Sequence, residues 1–259
     1  MNRCIHFIFL VFMHTTLLAE PPRYVPEELV EKFTLYSRIP LSYWYMDDSC
    51  PPAASLIYTQ NQINANVDKI SREEASYYGC TDHYLYKALE KYKTNIEGKK
   101  VAVIGSTLPW YESVALFYGG SPTTIENNKI ISEDPRLTTM TMAEYEQCPQ
   151  LFDAIFSIST VAHDGLGRYG DQVHPFGDIK AMDTMKAMLK EDGLLFLAVP
   201  IGEDRLCWNI HRIYGRIRLP LLLQGWKIVD SFGFVDEHLD RKCGISGGHQ
   251  PVFVLRPNR

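Results

Sequence analysis

The sequence predicts an α/β fold: a Rossmann-like open sheet of about seven strands, mostly parallel, with helices on both faces. Three observations carry that expectation. An unbroken apolar run at residues 101–104 and apolar-rich stretches at 152–159 and 194–199 recur along the chain, and runs without alternation suit strands covered on both faces. Helix-patterned stretches separate these runs, an order that builds a parallel sheet. After the fifth strand, residues 225–232 and 250–255 read as a closing strand pair.

Taken in order, residues 1–19 hold Arg3 and then an apolar run from Cys4 to Leu18, interrupted by His6, His14 and two threonines. Ala19 offers a small residue for cleavage, just before Pro21-Pro22. This is the anatomy of a secretory signal peptide; the alternative is an uncleaved signal-anchor, the one case in which a membrane would be a partner. The run is short for a span, which needs about 20 apolar residues. The expected location is the secretory pathway lumen or the cell exterior. Of the six cysteines, Cys4 lies in this segment, and the wide spacing of the other five suggests neither a zinc pattern nor a clear disulfide framework. One or two bridges, with a thiol left over, suit that compartment.

Residues 20–70 read as an irregular, Pro- and Tyr-rich arm, and residues 71–259 as the α/β domain. Ser71-Arg-Glu-Glu74 has the pattern of a capping box opening a helix. Leu85, Ala88, Leu89 and Tyr92 then recur at helical spacing, and Gly98 stops that stretch before the first core strand. Gly105 ends the strand where the backbone must turn, Pro109 suits the first turn of the next helix, and Gly119-Gly120 stops it. A second strand ends on Glu126. An acid about 20 residues past such a turn holds ribose hydroxyls in nucleotide-binding α/β units; an ordinary βαβ unit is the plainer alternative. Gly105, Ser106, Trp110, Glu126, Asn127 and Ser159 are therefore the candidate cofactor residues, and Glu112 is placed to brace the turn.

Residues 137–140 suggest a third strand, and Thr141-Met-Ala-Glu144 a second capping box. Asp178 reads as the cap of a helix burying Ala181, Met185, Met188 and Leu189, and Asp192-Gly193 as a turn into the fifth strand. Residues 206–223 read as a basic, aromatic helical stretch. Net charge is −5 with no long basic run, which excludes a phosphate-tracking nucleic-acid surface.

The most reactive-looking stretch is His163-Asp164-Gly-Leu-Gly-Arg168-Tyr169-Gly-Asp171-Gln-Val-His174. His163 is the candidate general base, because an imidazole titrates near neutrality. Asp164 and Asp171 complete the catalytic set, orienting His163 or holding hydroxyls. Arg168, Tyr169, His211 and Arg212 are candidates for binding an acidic or sugar substrate. An internal Arg168–Asp171 ion pair and a solvated basic face are the structural alternatives. A metal on His163, Asp171 and His174 matches no established spacing, so none is expected.

Several of these segments resemble Rossmann-like S-adenosylmethionine-dependent methyltransferases: Val-Ala-Val-Ile-Gly-Ser with Glu126, residues 152–159 and residues 189–200. More closely, residues 105–112, 165–171 and 211–215 resemble a nematode domain-of-unknown-function family with relatives encoded among bacterial polysaccharide-synthesis genes. The resemblance implies a methyltransferase-type sheet, S-adenosylmethionine as cofactor, and a small-molecule or glycan acceptor, most plainly a carbohydrate hydroxyl. A catalytically silent, secreted binding module of the same fold is the alternative. A dinucleotide-dependent oxidoreductase would need the full G-x-G-x-x-G, which this turn lacks.

Overall fold

The structure, a computed structural model, describes residues 20–51, 56–76, 78–245 and 247–258. The expected signal segment lies outside them. In chain order the strands are β1 Leu41–Trp44, β2 Ile57–Tyr58, β3 Lys100–Ile104, β4 Ser121–Glu126, β5 Ile131–Ser132, β6 Thr138–Thr141, β7 Phe152–Ile158, β8 Leu189–Ala198, β9 Arg205–Asn209, β10 His211–Ile213, β11 Trp226–Phe232 and β12 Val252–Pro257. The helices are α1 Val30–Phe33, α2 Gln60–Ser71, α3 Cys80–Lys91, α4 Trp110–Phe117, α5 Met142–Gln147, α6 Gly177–Met188 and α7 Arg218–Leu222.

Seven strands form the main sheet in the order β6-β4-β3-β7-β8-β12-β11. The first five run parallel, and β12 enters antiparallel between β8 and β11. Both faces are covered. Ile70 of α2, Leu85 and Leu89 of α3 and Val114 of α4 pack on one side; Tyr145 of α5, Met182 and Met185 of α6 and Leu222 of α7 pack on the other. This two-sided burial is why β3 and the second half of β8 carry continuous apolar runs and β7 is polar only at Asp153 and Ser157. Strand order reverses at β3, which pairs with β4 on one flank and β7 on the other. Ligands in such sheets sit outside the carboxyl ends of the strands at that reversal.

A smaller sheet, β1-β9-β10, attaches the N-terminal arm. Phe33 meets the fully buried Trp208 edge to face at 5.2 Å, a contact worth about 1 kcal/mol beyond its buried area. The Trp208 indole N–H donates to the Pro22 carbonyl at 3.0 Å. The Asn209 carboxamide accepts from the Met46 amide at 2.9 Å and donates to its carbonyl at 2.8 Å.

Several expectations need correction. Residues 206–223 form β9, β10 and α7 rather than one helix. A solvated basic face was the alternative for their side chains; Arg216 is exposed, but His211, Arg212 and Arg218 are buried. The helix near Ser71 ends there instead of beginning; the capping box belongs to Thr59 and Gln62 of α2. Only Ile63 and Ile70 of α2 are buried, too few to show a period, so residues 20–70 read as irregular. Asp178 lies inside the first turn of α6 with its carboxylate on Arg218, and makes no cap bond. Leu189 opens β8, and Asp192-Gly193 falls inside that strand, where its register against β7 shifts. The Thr141–Glu144 capping box is formed as read. Among the described residues the five cysteines are free thiols, and no helix is long and apolar enough to cross a membrane.

Candidate functional site

A cavity of 290 Å³ opens at the carboxyl ends of β3, β4 and β7, at the small end of the range for ligand sites. Gly105, Ser106, Trp110, Glu126, Asn127 and Ser159 all line it. Glu126 ends β4 half-buried, with Oε1 accepting from the Asn127 amide at 3.0 Å. Burial raises its pKa, so the carboxylate sits in a partly dry crevice, where hydrogen bonds to hydroxyls gain strength.

The bend after β3 is braced from three sides. Gly105 adopts φ 67°, a backbone region costly for residues with a Cβ. The hydrogen at Gly105 makes room for Thr160: a Cβ there would meet the Thr160 methyl carbon, while Thr160 Oγ1 donates to the Ile104 carbonyl at 3.0 Å. Gly105 is a candidate cofactor residue from the sequence, but a neighbouring side chain occupies the space at its Cα. Tyr58, from the arm, donates its hydroxyl to the Ser106 carbonyl at 2.7 Å. Beneath lies Glu112, fully buried, with its carboxyl 3.0 Å from Ser106 Oγ and 2.7 Å from Thr124 Oγ1. Burial pushes it up to about 7.

At the end of β7, Ser159 takes φ 61°, a left-handed conformation that a non-glycine residue holds at a cost of about 1–2 kcal/mol. Such strain concentrates at functional sites, and here it turns the chain into the reactive loop. His163 lines the cavity, and its Nδ1 lies in hydrogen-bond contact with the Ile210 carbonyl. A carbonyl only accepts, so Nδ1 carries the proton and the lone pair is on Nε2. Burial lowers His163 to about 4, which keeps the ring neutral. The Ile210 carbonyl, not Asp164 or Asp171, therefore orients this imidazole.

Asp164 lines the same cavity; burial, then the nearby Asp171, raise it well above the usual carboxylate range. That shift favours the protonated form of its carboxyl. Asp171 Oδ2 accepts from the Gly165 amide at 2.7 Å and the Gly167 amide at 3.3 Å, while Oδ1 takes the Tyr169 amide at 3.4 Å. It pins the loop. The alternative Arg168–Asp171 pair does not form; Arg168 pairs with Asp48 at 2.7 Å and lies over the Tyr169 ring. His174 Nδ1 accepts from the Phe176 amide. Among the described residues no group of three or more His, Cys, Asp or Glu could hold a metal.

Arg168 and His211 line a second cavity rather than the first, while Tyr169 lines the first. Arg212 reaches neither. It is buried, with Nη1 donating to the Asp164 carbonyl at 2.6 Å and Nη2 to the Pro175 carbonyl at 3.4 Å. Its assignment to substrate is corrected: the guanidinium serves the underside of the loop, where Arg218 and Asp178 complete a buried ion-pair group. The sequence puts the loop from Thr160 at this crevice but does not reveal the contact of Thr160 with Gly105, nor those of Asp48 and Tyr58, because nothing local in their flanking residues signals a contact so far along the chain.

A parallel sheet whose order reverses at β3, an acid ending β4 and an antiparallel β12 inserted next to the edge define a Rossmann-like methyltransferase-type α/β protein. The family described as "Caenorhabditis protein of unknown function, DUF268" matches residues 98–241, more than half of the chain, and the chain belongs to it. No curated protein matches it. Among solved structures it is similar to the 1,6-didemethyltoxoflavin-N1-methyltransferase of Burkholderia thailandensis, a complex with 1,6-didemethyltoxoflavin and S-adenosylhomocysteine. That match has 17% identity over 75% of this chain and 88% of the other, with a TM-score of 0.45. An S-adenosylmethionine-dependent methyltransferase from Clostridium acetobutylicum is 10% identical over 77% and 99%, with a TM-score of 0.43.

Proposed function

We propose that the protein is an S-adenosylmethionine-dependent methyltransferase acting on a carbohydrate hydroxyl in the secretory pathway. One observation carries the cofactor: Glu126 ends β4 inside the cavity formed where strand order reverses, the position from which an acid holds ribose hydroxyls. The rest of the lining suits an adenosine-bearing molecule. Ile125, Val161, Met142 and Met185 supply apolar walls, and the buried Trp110 indole N–H has no hydrogen-bond partner among the described residues. When bound, the cofactor supplies an electrophilic methyl group.

The chain's own contribution is alignment and proton removal. His163 Nε2, its lone pair fixed by the Ile210 carbonyl on the opposite nitrogen, takes the acceptor's hydroxyl proton. Asp164, whose protonated form burial favours, offers a hydrogen bond within the same cavity. Family resemblance to relatives among polysaccharide-synthesis genes supports a carbohydrate acceptor, and the signal-like residues 1–19 support export.

A second reading, a silent binding module, is favoured by Thr160 lying against Gly105, which fills space that a cofactor's tail would otherwise approach. Titration calorimetry separates the two. Micromolar binding of S-adenosylmethionine and S-adenosylhomocysteine, lost in Glu126→Ala, is the expected result. Binding of neither supports the silent module, and binding of NAD alone overturns both.

A further inference from the structure

The second cavity, of 500 Å³, meets the first at Tyr78, Ser159 and His163, which line both. Beyond the loop after β7 and Pro200, it is built by the arm (Trp44, Met46), the start of α3 (Thr81), the β9–β10 corner (Ile210, His211) and residues 247–250. We infer that this second cavity is the acceptor site, and that it takes a neutral, polyhydroxylated ring.

Two polar side chains of its lining, His211 and Gln250, carry the inference. His211 Nε2 and Gln250 Oε1 are buried and have no hydrogen-bond partner among the described residues. Buried polar atoms are almost always paired, so each exception calls for a physical reason. A carboxamide oxygen only accepts, so a ligand that satisfies it must donate. The His211 ring is held neutral by burial and can accept or donate without charge. His163 presents its imidazole from the shared wall, the two rings 6.2 Å apart. A single phenolic hydroxyl could answer one of these three atoms; a sugar ring carries hydroxyls enough for all.

Charge narrows the class further. Arg168 is the only charged side chain among the described lining residues, and Asp48 Oδ2 already holds its Nε at 2.7 Å. No unmatched cation is left for a carboxylate or phosphate, which removes the acidic substrate considered from the sequence. Trp44 and Tyr78 supply aromatic surface of the kind that packs against the C–H face of a sugar.

Naming this cavity the acceptor site rests on reading the first as the cofactor cleft; saccharide binding itself does not. The test is saturation-transfer NMR and titration of the full chain. The probes are the methyl glycosides of glucose, galactose, mannose and N-acetylglucosamine, with benzoate and phenyl phosphate as anionic comparators. At least one glycoside should bind in the millimolar range or tighter, and more tightly than either anion. Gln250→Leu, which removes the orphaned oxygen and no existing side-chain hydrogen bond, should weaken it about tenfold while leaving the melting temperature unchanged or higher. Should that variant fail to fold, Trp44→Ala on the exposed arm strand gives the same readout. Glu126→Ala should abolish S-adenosylhomocysteine binding yet leave glycoside affinity intact. Failure of the unsubstituted chain to bind S-adenosylhomocysteine would overturn the reading of the first cavity, and the acceptor name with it, but not saccharide binding in the second. The acceptor-site inference is overturned if no glycoside binds, if an anion binds more tightly, or if affinity is unchanged in Gln250→Leu or, where that variant does not fold, in Trp44→Ala.

Discussion

Arg168 and Asp48, 120 positions apart in sequence, hold each other at 2.7 Å, Nε to Oδ2. The Asp48 amide also donates to the Arg168 carbonyl at 2.9 Å, so arm and reactive loop are tied through both backbone and side chains. The carboxylate half of the ion pair is 38% exposed, and partly exposed pairs contribute little, about 1 kcal/mol or less. Asp48→Asn should therefore barely move the unfolding midpoint. Its effect should appear in selectivity: the uncovered guanidinium should let benzoate or phenyl phosphate bind the second cavity. Titration of the variant with those anions checks it, and unchanged anion affinity would show that Asp48 does not set the cavity's charge.

Asp178 is the opposite kind of carboxylate. Fully buried, it accepts from Arg218 Nε at 2.8 Å and Nη2 at 2.7 Å and from the Tyr214 hydroxyl at 3.1 Å, with Arg212 Nε 3.7 Å away. Burial alone would raise its pKa, but Arg212 and Arg218 outweigh that and keep it below the usual carboxylate range. Removing one member of a buried charge group leaves the others uncompensated, at a cost of about 3–5 kcal/mol. Asp178→Ala should lose that much in urea unfolding. A loss below about 1 kcal/mol would mean that water or a rearrangement satisfies both guanidinium groups.

The same cluster explains which parts of the molecule were legible in advance. The core strands, the Glu126 terminus and the loop from His163 to Asp171 were readable because their signals are local: apolar runs, a glycine turn, a dense set of charges. Arg212 was misread because its partner, Asp178, lies 34 positions earlier and a buried arginine has the same letter as a solvated one. His211 went to the right region on the wrong element; alternation in β9 and β10 is erased by burial of nearly every residue there. The contact of Thr160 with Gly105 escaped notice because a glycine's missing side chain does not reveal whether a ligand or a neighbour fills the space.

Glu112 gives the stability a pH dependence of definite sign. Ser106 Oγ has one hydrogen but two acceptor oxygens nearby, Leu108 O at 2.8 Å and Glu112 Oε2 at 3.0 Å. A protonated Glu112 resolves this by donating to Ser106 while Thr124 donates to it, in keeping with a pKa pushed by burial to about 7. The folded value lies above the unfolded one, so Glu112's contribution is fully present below about pH 4.5 and is lost as pH rises through 7. Glutamine preserves both hydrogen bonds and does not titrate. The stability of Glu112→Gln relative to wild type should thus climb by about 3 kcal/mol between pH 4 and 8. A flat difference in thermal or urea unfolding across that range would place the proton elsewhere. His163 and His211, both lowered by burial to about 4, act with the reverse sign. Their contribution is present above about pH 6.5 and lost as pH falls through 4.

Gly105 tests how the bend is built. Its φ of 67° alone costs an alanine about 1–2 kcal/mol. An ideal Cβ would also meet the Thr160 methyl, and Thr160 cannot simply withdraw because Oγ1 is bonded to the Ile104 carbonyl at 3.0 Å. Gly105→Ala should therefore cost more than the dihedral, about 3 kcal/mol with the crowding added. Thr160→Ser removes the methyl and keeps the hydroxyl, so on its own it should cost little. Combined with Gly105→Ala, it should recover the crowding part and leave the dihedral part. Simple additivity in that double-mutant cycle would mean that Thr160 and Gly105 do not share the space. Positive coupling, together with retained S-adenosylhomocysteine binding in Thr160→Ser, would show that the threonine supports the bend without obstructing the cavity.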